Sequence, residues 1–178
     1  AETMVQAKPN RAHEALAKLE AMGKLKAVIT QNIDGLHQKA GSKNVIELHG
    51  TIASNTCENC FHTYDVQTFL SLCHPVPHCP HCGGIIKPDV VLYEESLDTN
   101  DIEEAIYEIS RADMLMIGGT SLVVYPAAGF ISYFHGDALV MVNQDQTPKD
   151  EDCDLVIHDS LGKVLEKVVE GCGWAKRE

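Results

Sequence analysis

Four of the seven cysteines fall into two Cys-x-x-Cys pairs whose spacing is typical of a zinc site. Cys57 pairs with Cys60 and Cys79 pairs with Cys82, and 18 residues separate the two pairs. Each pair can supply two thiolates from one tight turn, so together they predict one tetrahedral Zn²⁺ site. Four thiolates leave no open coordination position, so we expect the zinc to be structural and not catalytic.

The spacing alone leaves other roles open for these cysteines. Each pair also matches a redox motif of the thioredoxin type. Cys73 lies between the pairs, matches neither, and is expected to be a free thiol. An odd, clustered set of cysteines favours a reducing compartment over a disulfide framework, and we expect a cytoplasmic protein. Four nearby histidines could replace a thiolate as ligands: His62, His74, His78 and His81.

Polar side chains also crowd the ends of two predicted strands. Gln31, Asn32 and Asp34 follow the first strand, and His49 follows the second. The carboxyl ends of parallel strands line the ligand crevice in open α/β sheets. A histidine placed there can act as a general base near neutral pH. A plain turn and a loop histidine without a catalytic role are the alternatives.

A glycine-rich strand end gives a weaker signal for nucleotide binding. Gly119, Thr120 and Ser121 follow a predicted strand, and Asn143 ends the next one. Glycines allow close backbone approach, and hydroxyls and helix N-terminal amides suit phosphate. A polar residue roughly 20 positions further on can bond a ribose hydroxyl. Neither of the common phosphate-binding glycine motifs occurs, so an ordinary turn and helix cap is the alternative.

An alternation of strands and helices must position these side chains. Apolar strands alternating with helices predict an α/β fold, a parallel sheet with helices on both faces. Between the predicted strand at 45–48 and the predicted helix at 101–112, residues 52–88 are rich in Cys, His, Pro and Gly and lose apolar periodicity, which indicates a small inserted module. The predicted strands are 26–30, 45–48, 114–117, 138–142 and 154–157, and the predicted helices are 10–22, 101–112, 126–134 and 162–169.

Length and charge exclude several functional classes. The chain has 178 residues and a net charge of −12, from 14 Lys+Arg against 26 Asp+Glu. Such an acidic chain is poorly suited to nucleic-acid backbones and better suited to cationic ligands, including Lys-containing peptides. No apolar run approaches the roughly 18 residues of a membrane helix, so we expect no membrane partner.

The motifs occur in an order that resembles the sirtuins, the NAD-dependent protein-lysine deacylases, and most of all a bacterial member. The resemblance implies a Rossmann-like NAD-binding domain over residues 1–51 and 89–178, with a zinc-binding module over 52–88. It also implies removal of acyl groups from protein lysines, with NAD as co-substrate. The motifs are TQNIDGLH at 30–37, ELHG at 47–50, the two cysteine pairs, KPDVV at 87–91, GTSL at 119–122 and VN at 142–143.

The same resemblance implies a role for each site residue. His49 would be the general base acting on a ribose hydroxyl, with Asn32 and Asp34 as further catalytic residues. Val90 and Val91 would pair by backbone with the substrate peptide as an added strand. The NAD-binding residues would be Gln31, Asn32, Ile33, Asp34, Gly119, Thr120, Ser121 and Asn143.

The chain departs from the sirtuin pattern at two points. The family's opening Gly-Ala-Gly strand turn and Pro-Asp-Phe-Arg loop do not occur. We therefore expect a start inside a longer protein, a sheet without its first strand, and little activity from residues 1–178 alone. Glu94 stands where many members have glycine. The rival functions are a catalytically silent zinc-binding interaction module and an NAD-dependent ADP-ribosyltransferase; the base at His49 favours deacylation over the second.

Overall fold

The protein was analysed as a computed structural model that describes residues 6–120 and 127–174. Within those residues the strands are β1 (Val28–Thr30), β2 (Val45–Glu47), β3 (Gly50–Cys57), β4 (Thr63–Asp65), β5 (Ile86–Val90), β6 (Met114–Gly118), β7 (Ala138–Val142) and β8 (Leu155–Ile157). The α-helices are α1 (Arg11–Ala21), α2 (Leu36–Ala40), α3 (Val66–Leu72), α4 (Thr99–Ser110) and α5 (Leu161–Trp174). Short 3₁₀ helices span Ala127–Tyr133 and Asp150–Asp152.

Helix α1 begins and ends where its sequence signals predict. The Asn10 side chain accepts hydrogen bonds from the backbone N–H groups of Ala12 and His13, and His13 Nδ1 accepts the Asn10 N–H in return. This reciprocal cap satisfies donors that a helix N-terminus otherwise leaves unpaired. Gly23 follows the last turn with a φ of 71°, a left-handed conformation that glycine adopts without steric cost.

The predicted parallel strands form two ladders. β1 pairs with β2 in parallel, with Val28 opposite Val45. β7 lies between β6 and β8, parallel to both, with Met114 opposite Ala138. Within residues 6–120 and 127–174, β1 and β6 each have a partner along one edge only. The expected parallel arrangement is confirmed, as two hydrogen-bonded pieces.

Helices cover both faces of these strands, as the buried side chains show. Leu115 of β6 packs with Ile46 of β2 and Ile109 of α4 in one cluster. Its neighbour Met116 packs on the opposite face, against Leu19 of α1 and Leu165 of α5. Adjacent residues of a strand point to opposite faces, so the strand layer lies between α4 on one side and α1 with α5 on the other.

The inserted module has a sheet of its own, which periodicity did not predict. β3 pairs antiparallel with β4 on one side and with β5 on the other. Its buried core consists of Ile86 with Cys57 and Cys79, against which Tyr64, Phe69 and Leu72 pack. Two of the three buried residues are predicted zinc ligands, so this core is too small to be stable without them.

Three helical segments differ from the sequence expectation. Helices α2 and α3 were not predicted. The segment expected to be an α-helix over 126–134 is a 3₁₀ helix over Ala127–Tyr133, with Pro126 outside the described residues. α2 has only five residues and is bounded by Gly35 and Gly41, both at positive φ, which leaves too little sequence for a helical period. Within the described residues, no helix is long and apolar enough to cross a membrane.

Candidate functional site

The four predicted cysteine ligands converge on one point. Their Sγ atoms all lie within 4.8 Å of one another. Cys57 Sγ is 3.6 Å from Cys82 Sγ, and Cys60 Sγ is 3.6 Å from Cys79 Sγ. A tetrahedron with Zn–S bonds of about 2.3 Å has sulfur–sulfur edges of about 3.8 Å, so the cluster fits Zn²⁺. Both close contacts run between the two pairs, whereas independent redox motifs would bring together the sulfurs within each pair.

The two cysteine turns have the same backbone hydrogen bonds. Phe61 N–H donates to the Cys57 carbonyl at 3.0 Å, and Gly83 N–H donates to the Cys79 carbonyl at 2.8 Å. Phe61 and Gly83 both have positive φ, 59° and 76°, at this shared position. The spacing that predicts zinc therefore corresponds to two copies of one local turn, each presenting two sulfurs.

Hydrogen-bond donors surround the sulfurs. Tyr64 Oη lies 3.0 Å from Cys79 Sγ. This contact, followed by hydrogen bonds from the His81 and Cys82 backbone, lowers the pKa of the Cys79 thiol to about 6 against the opposing effect of burial. The backbone N–H of Gly84 and the side chain of Asn59 lower the pKa of the Cys82 thiol. A Cβ at Gly84 would lie 3.1 Å from Cys57 Sγ, so glycine is needed for this close approach. Such donors favour the thiolate form that zinc requires.

The other metal-ligating candidates lie outside the cluster. Cys73 donates to the Pro75 carbonyl and is not among the four sulfurs that converge. The rings of His62 and His81 pack together with centroids 4.4 Å apart, and neither belongs to the cluster. The four-cysteine set therefore accounts for the site without a histidine.

The polar loop after β1 is held by its own side chains. Asn32 N–H donates to Thr30 Oγ1 at 3.1 Å, and Leu36 N–H donates to Asp34 Oδ1 at 3.0 Å. The Asp34 carboxylate thus holds the start of α2, while Asn32 is exposed and Gln31 and Ile33 are half-buried. One carboxylate oxygen of Asp34 has this structural partner, which fixes the orientation of the side chain.

Backbone hydrogen bonds join this loop to His49 and to the predicted peptide edge. Ile52 N–H donates to the Ile33 carbonyl at 3.0 Å, and Val91 N–H donates to the His49 carbonyl at 2.9 Å. Val90 lies opposite Gly50 in the β3–β5 ladder. The predicted base, the loop with Asp34 and the predicted substrate strand are therefore neighbours, although the sequence separates them.

Gly50 marks the tightest point of this junction. Its φ is 72°, and a Cβ built there would lie only 2.1 Å from the Asp89 carbonyl oxygen. Only glycine allows the chain after His49 to cross this close to β5. The residue that follows the predicted base is thereby in contact with the strand predicted to bind substrate.

An acidic cavity of about 540 Å³ opens beside this junction. Gly50, Val90 and Val91 line it together with Phe61 of the inserted module. Burial, followed by the charges of Asp98 and Glu104, raises the pKa of Asp101. The charged lining comprises one lysine, Lys87, and five carboxylates, Glu58, Asp89, Glu95, Asp98 and Asp101. Lys87 Nζ pairs with Glu95 Oε2 at 3.0 Å, which leaves an excess of negative charge.

The described members of the predicted phosphate and ribose set, Gly119, Thr120 and Asn143, follow β6 and β7. A Cβ at Gly118 would lie 2.8 Å from Leu161 Cδ1, so this glycine lets the strand pack on α5. Gly119 has a φ of 64°, and its N–H donates to the Val142 carbonyl, which places it beside Asn143. Asn143 Nδ2 donates to the Asp145 carbonyl. Thr120 is described, whereas Ser121 lies outside the described residues.

Sequence reasoning missed a buried polar group beside Asp34. The rings of His13 and His37 are 4.6 Å apart, and the buried His37 Nδ1 has no hydrogen-bond partner among the described residues. Burial lowers the pKa of both histidines, and the charge of Asp34 offsets part of that effect. The three-residue spacing of Asp34 and His37 was the one sequence signal that could have placed His37 beside Asp34. No sequence pattern linked His37 to His13.

Glu47 was also missed. Burial raises the pKa of its carboxyl, although the side chains of Gln38 and Thr51 hydrogen-bond to it. One of its oxygens, Oε1, is buried and has no hydrogen-bond partner within the part of the chain that the structure describes. As the last residue of β2, it ties α2 and the start of β3 to the strand that leads into His49.

Comparisons with known proteins show the family of the chain. The Sir2 family profile matches residues 1–126. The NAD-dependent protein deacetylase of Clostridium perfringens is 63% identical over 92% of this chain and 67% of its own length. The NAD-dependent protein deacetylase of Clostridium acetobutylicum is 58% identical over 92% of this chain and 66% of its own length. This chain thus spans about two thirds of the length of these curated relatives.

Solved structures extend the likeness to the fold. A structure of Sir2 bound to an acetylated peptide has a TM-score of 0.90 and 43% identity, over 96% of this chain and 74% of its own. A Sir2 complex with an inhibitor, 2′-O-acetyl-ADP-ribose and a deacetylated p53 peptide has a TM-score of 0.88 and 44% identity, over 96% of this chain and 75% of its own. The fold is thus the sirtuin Rossmann-like α/β fold, and the chain belongs to the Sir2 family.

Proposed function

We propose that the protein removes acyl groups, acetyl above all, from lysine side chains of proteins in an NAD-dependent reaction. The acyl group passes to the ribose of NAD with uptake of one water, and the products are free lysine, nicotinamide and O-acyl-ADP-ribose. The observation that carries the proposal is the hydrogen bond from Val91 N–H to the His49 carbonyl. It fixes a candidate base directly beside a candidate peptide-binding edge, which deacylation of a peptide requires.

His49 is the proposed general base. It follows β2, its imidazole is half-buried, and it can accept a proton from a ribose hydroxyl during acyl transfer. Asn32 and Asp34, on the neighbouring strand end, are proposed to orient the ribose and the nicotinamide amide. The hydrogen bond from Leu36 N–H to Asp34 supports this role because it holds the carboxylate in one orientation.

The remaining NAD contacts are proposed for two strand ends. Gln31 and Ile33 would complete the nicotinamide side. Gly119, Thr120, Ser121 and Asn143 would line the phosphate and adenosine side. Gly119 supports this because, among the residues that the structure describes, only the tip of Leu161, 4.0 Å away, lies near the position of its missing Cβ.

The proposed substrate is an extended peptide that carries the acyl-lysine and lies along Val90 and Val91. Strand addition uses backbone hydrogen bonds and demands little sequence beyond the modified lysine. The excess of carboxylates around the cavity supports peptides with basic flanks, because opposite charges favour association. Nucleic-acid backbones are not proposed as ligands, since the same carboxylates repel phosphate.

A division of labour between the inserted module and the parallel strands is part of the proposal. Residues 52–88 would bind Zn²⁺ through Cys57, Cys60, Cys79 and Cys82, and residues 1–51 and 89–178 would bind NAD. Cys57 ends β3 and Ile86 begins β5, so a metal at the cysteines would clamp one end of the ladder whose other end holds Gly50 and Val90. We place the protein in the cytoplasm, where thiolates stay reduced.

The test is a product analysis with the full-length protein that contains this chain, incubated with NAD and an acetyl-lysine peptide. Deacylation predicts equal amounts of nicotinamide, free-lysine peptide and O-acetyl-ADP-ribose. An ADP-ribosyltransferase would instead release nicotinamide and add mass to a protein or peptide. A silent interaction module would consume no NAD, and either result would overturn the proposal.

A further inference from the structure

One polar contact of the cysteine cluster could not be predicted from the spacing of the sequence motifs. Tyr64 lies in β4, opposite Asn55 of β3, and its ring packs in the small core with Ile86 and Phe69. Its hydroxyl reaches Cys79 Sγ at 3.0 Å. The ring therefore belongs to the core of the inserted module, while the hydroxyl touches a metal ligand.

The direction of this hydrogen bond follows from the chemistry of a zinc-bound sulfur. A thiolate has no proton and can only accept, so the Tyr64 O–H must donate to Cys79 Sγ when the metal is present. Cys79 has little freedom to move, because it is only 2% exposed and its backbone N–H donates to the Gly84 carbonyl at 2.7 Å. The phenol thus fixes the sulfur of a residue whose backbone is already fixed.

Two of the other sulfurs, those of Cys60 and Cys82, receive different donors. Cys60 accepts from the backbone N–H of His62, and Cys82 accepts from the Gly84 N–H and the Asn59 side chain. The backbone donors adjoin the turn whose sulfur they contact, and the Asn59 side chain comes from the Cys57–Cys60 turn and contacts a sulfur of the other turn. Tyr64 comes from a separate strand, so its bond links the cysteine cluster to the β3–β4 ladder.

We propose that Tyr64 is a positioning residue of the zinc site, whose hydroxyl orients the Cys79 thiolate and slows the loss of the metal. The proposal concerns this chain's own residues and holds whether or not the protein is a deacylase. Groups that hydrogen-bond to metal ligands commonly change metal affinity by about 10- to 100-fold when removed. Because Cys60 and Cys82 keep their own donors, we expect the lower end of that range.

The experiment removes the hydroxyl and keeps the ring. Zinc affinity and zinc release to a chromophoric chelator are measured at pH 7 for the full-length protein and its Tyr64→Phe variant. Tyr133→Phe, an exposed tyrosine on the 3₁₀ helix, is the matched control. We expect about 10-fold weaker binding and faster release for Tyr64→Phe and no change for the control. Equal affinity and equal release rates in all three proteins would overturn the proposal.

A spectroscopic measurement separates ligand positioning from a general loss of packing. With Co²⁺ in place of zinc, loss of a hydrogen bond to one sulfur should shift the thiolate-to-metal charge-transfer bands of Tyr64→Phe, whereas looser packing alone should not. If Tyr64→Phe fails to fold, 3-fluorotyrosine at position 64 provides the opposite change, because its more acidic hydroxyl donates more strongly. It should slow zinc release, and unchanged or faster release would count against the proposal.

Discussion

The inserted module and the parallel strands build their sites in different ways. All four sulfurs of the converging cluster come from two short turns between Cys57 and Cys82, and each turn repeats the same backbone hydrogen bond. The candidate catalytic site instead collects a loop after β1, His49 after β2 and Val91 after β5, which only the folded chain brings together. The first site depends on local geometry and a metal, and the second depends on long-range packing.

The largest effect is expected from removing zinc ligands. The double substitution Cys57→Ser, Cys79→Ser removes two thiolates and two of the three buried residues of the module's core. Structural zinc contributes its binding energy to folding, so the variant should lose the metal and the module should unfold. The α1–α5 packing should persist, because its apolar cluster contains no residue of the module.

Metal analysis and hydrogen exchange, read separately for residues 52–88 and for the α1–α5 cluster, measure this difference. Cys73→Ser is the matched control, because Cys73 lies outside the four-sulfur cluster, and it should retain one zinc per chain. Stoichiometric zinc in the double variant would contradict the assignment. Loss of protection throughout the chain would contradict the independence of the two regions.

A substitution at the junction should affect both regions less severely. Gly50→Ala places a methyl group 2.1 Å from the Asp89 carbonyl oxygen at a left-handed φ of 72°. Strain and overpacking together predict a loss of about 2–4 kcal/mol in the free energy of unfolding. Activity should fall further than stability accounts for, because His49 and Val91 would move relative to each other.

Denaturant unfolding and the peptide assay, performed on the same preparation, test this prediction. Gly171→Ala in α5 is the matched control, because no atom of the described residues outside the local helix lies within 4 Å of its Cβ position. It should raise the free energy of unfolding by about 0.5–1 kcal/mol, since alanine favours a helix over glycine. A Gly50→Ala protein with unchanged stability and activity would show that the close crossing is not required.

How far the sequence predicts each region follows from the same contrast. The zinc ligands were predictable because a turn of four residues determines where two sulfurs point. The β1, β2 and β6–β8 strands were predictable because each is an apolar run with clear boundaries. Contacts between distant segments, such as His13 with His37 or Tyr64 with Cys79, leave no periodic trace. The division of the parallel strands into two ladders depends on pairing across the fold, so it could not be predicted from local pattern.

The smallest expected effect is on the pH dependence of the free energy of unfolding, through two histidines of the region that contains the parallel strands. Burial lowers the pKa values of His13 and His37 in the folded protein. The unfolded chain therefore binds more protons between those lowered values and the ordinary histidine value near 6.5. Stability should fall as the pH drops through this window and recover as it rises.

His37→Gln removes one of these protonation sites, so the dependence of unfolding free energy on pH should be shallower in this variant. Urea unfolding at several pH values between neutral and mildly acidic, with zinc in excess, measures the slope. His135→Gln, on an exposed loop, serves as the surface control. A slope equal to that of the unsubstituted protein would show that the buried pair does not couple protonation to folding.

The most direct test of the account is the activity of His49→Ala in the full-length protein. If His49 is the general base, nicotinamide release with an acetyl-lysine peptide should fall by about 10²-fold or more, while zinc content and thermal stability stay unchanged. His135→Ala is the matched control and should keep full activity. If His49→Ala instead lost most of its thermal stability and kept its activity per folded molecule, His49 would be an architectural residue, and the assignment of the catalytic site to this junction would be wrong.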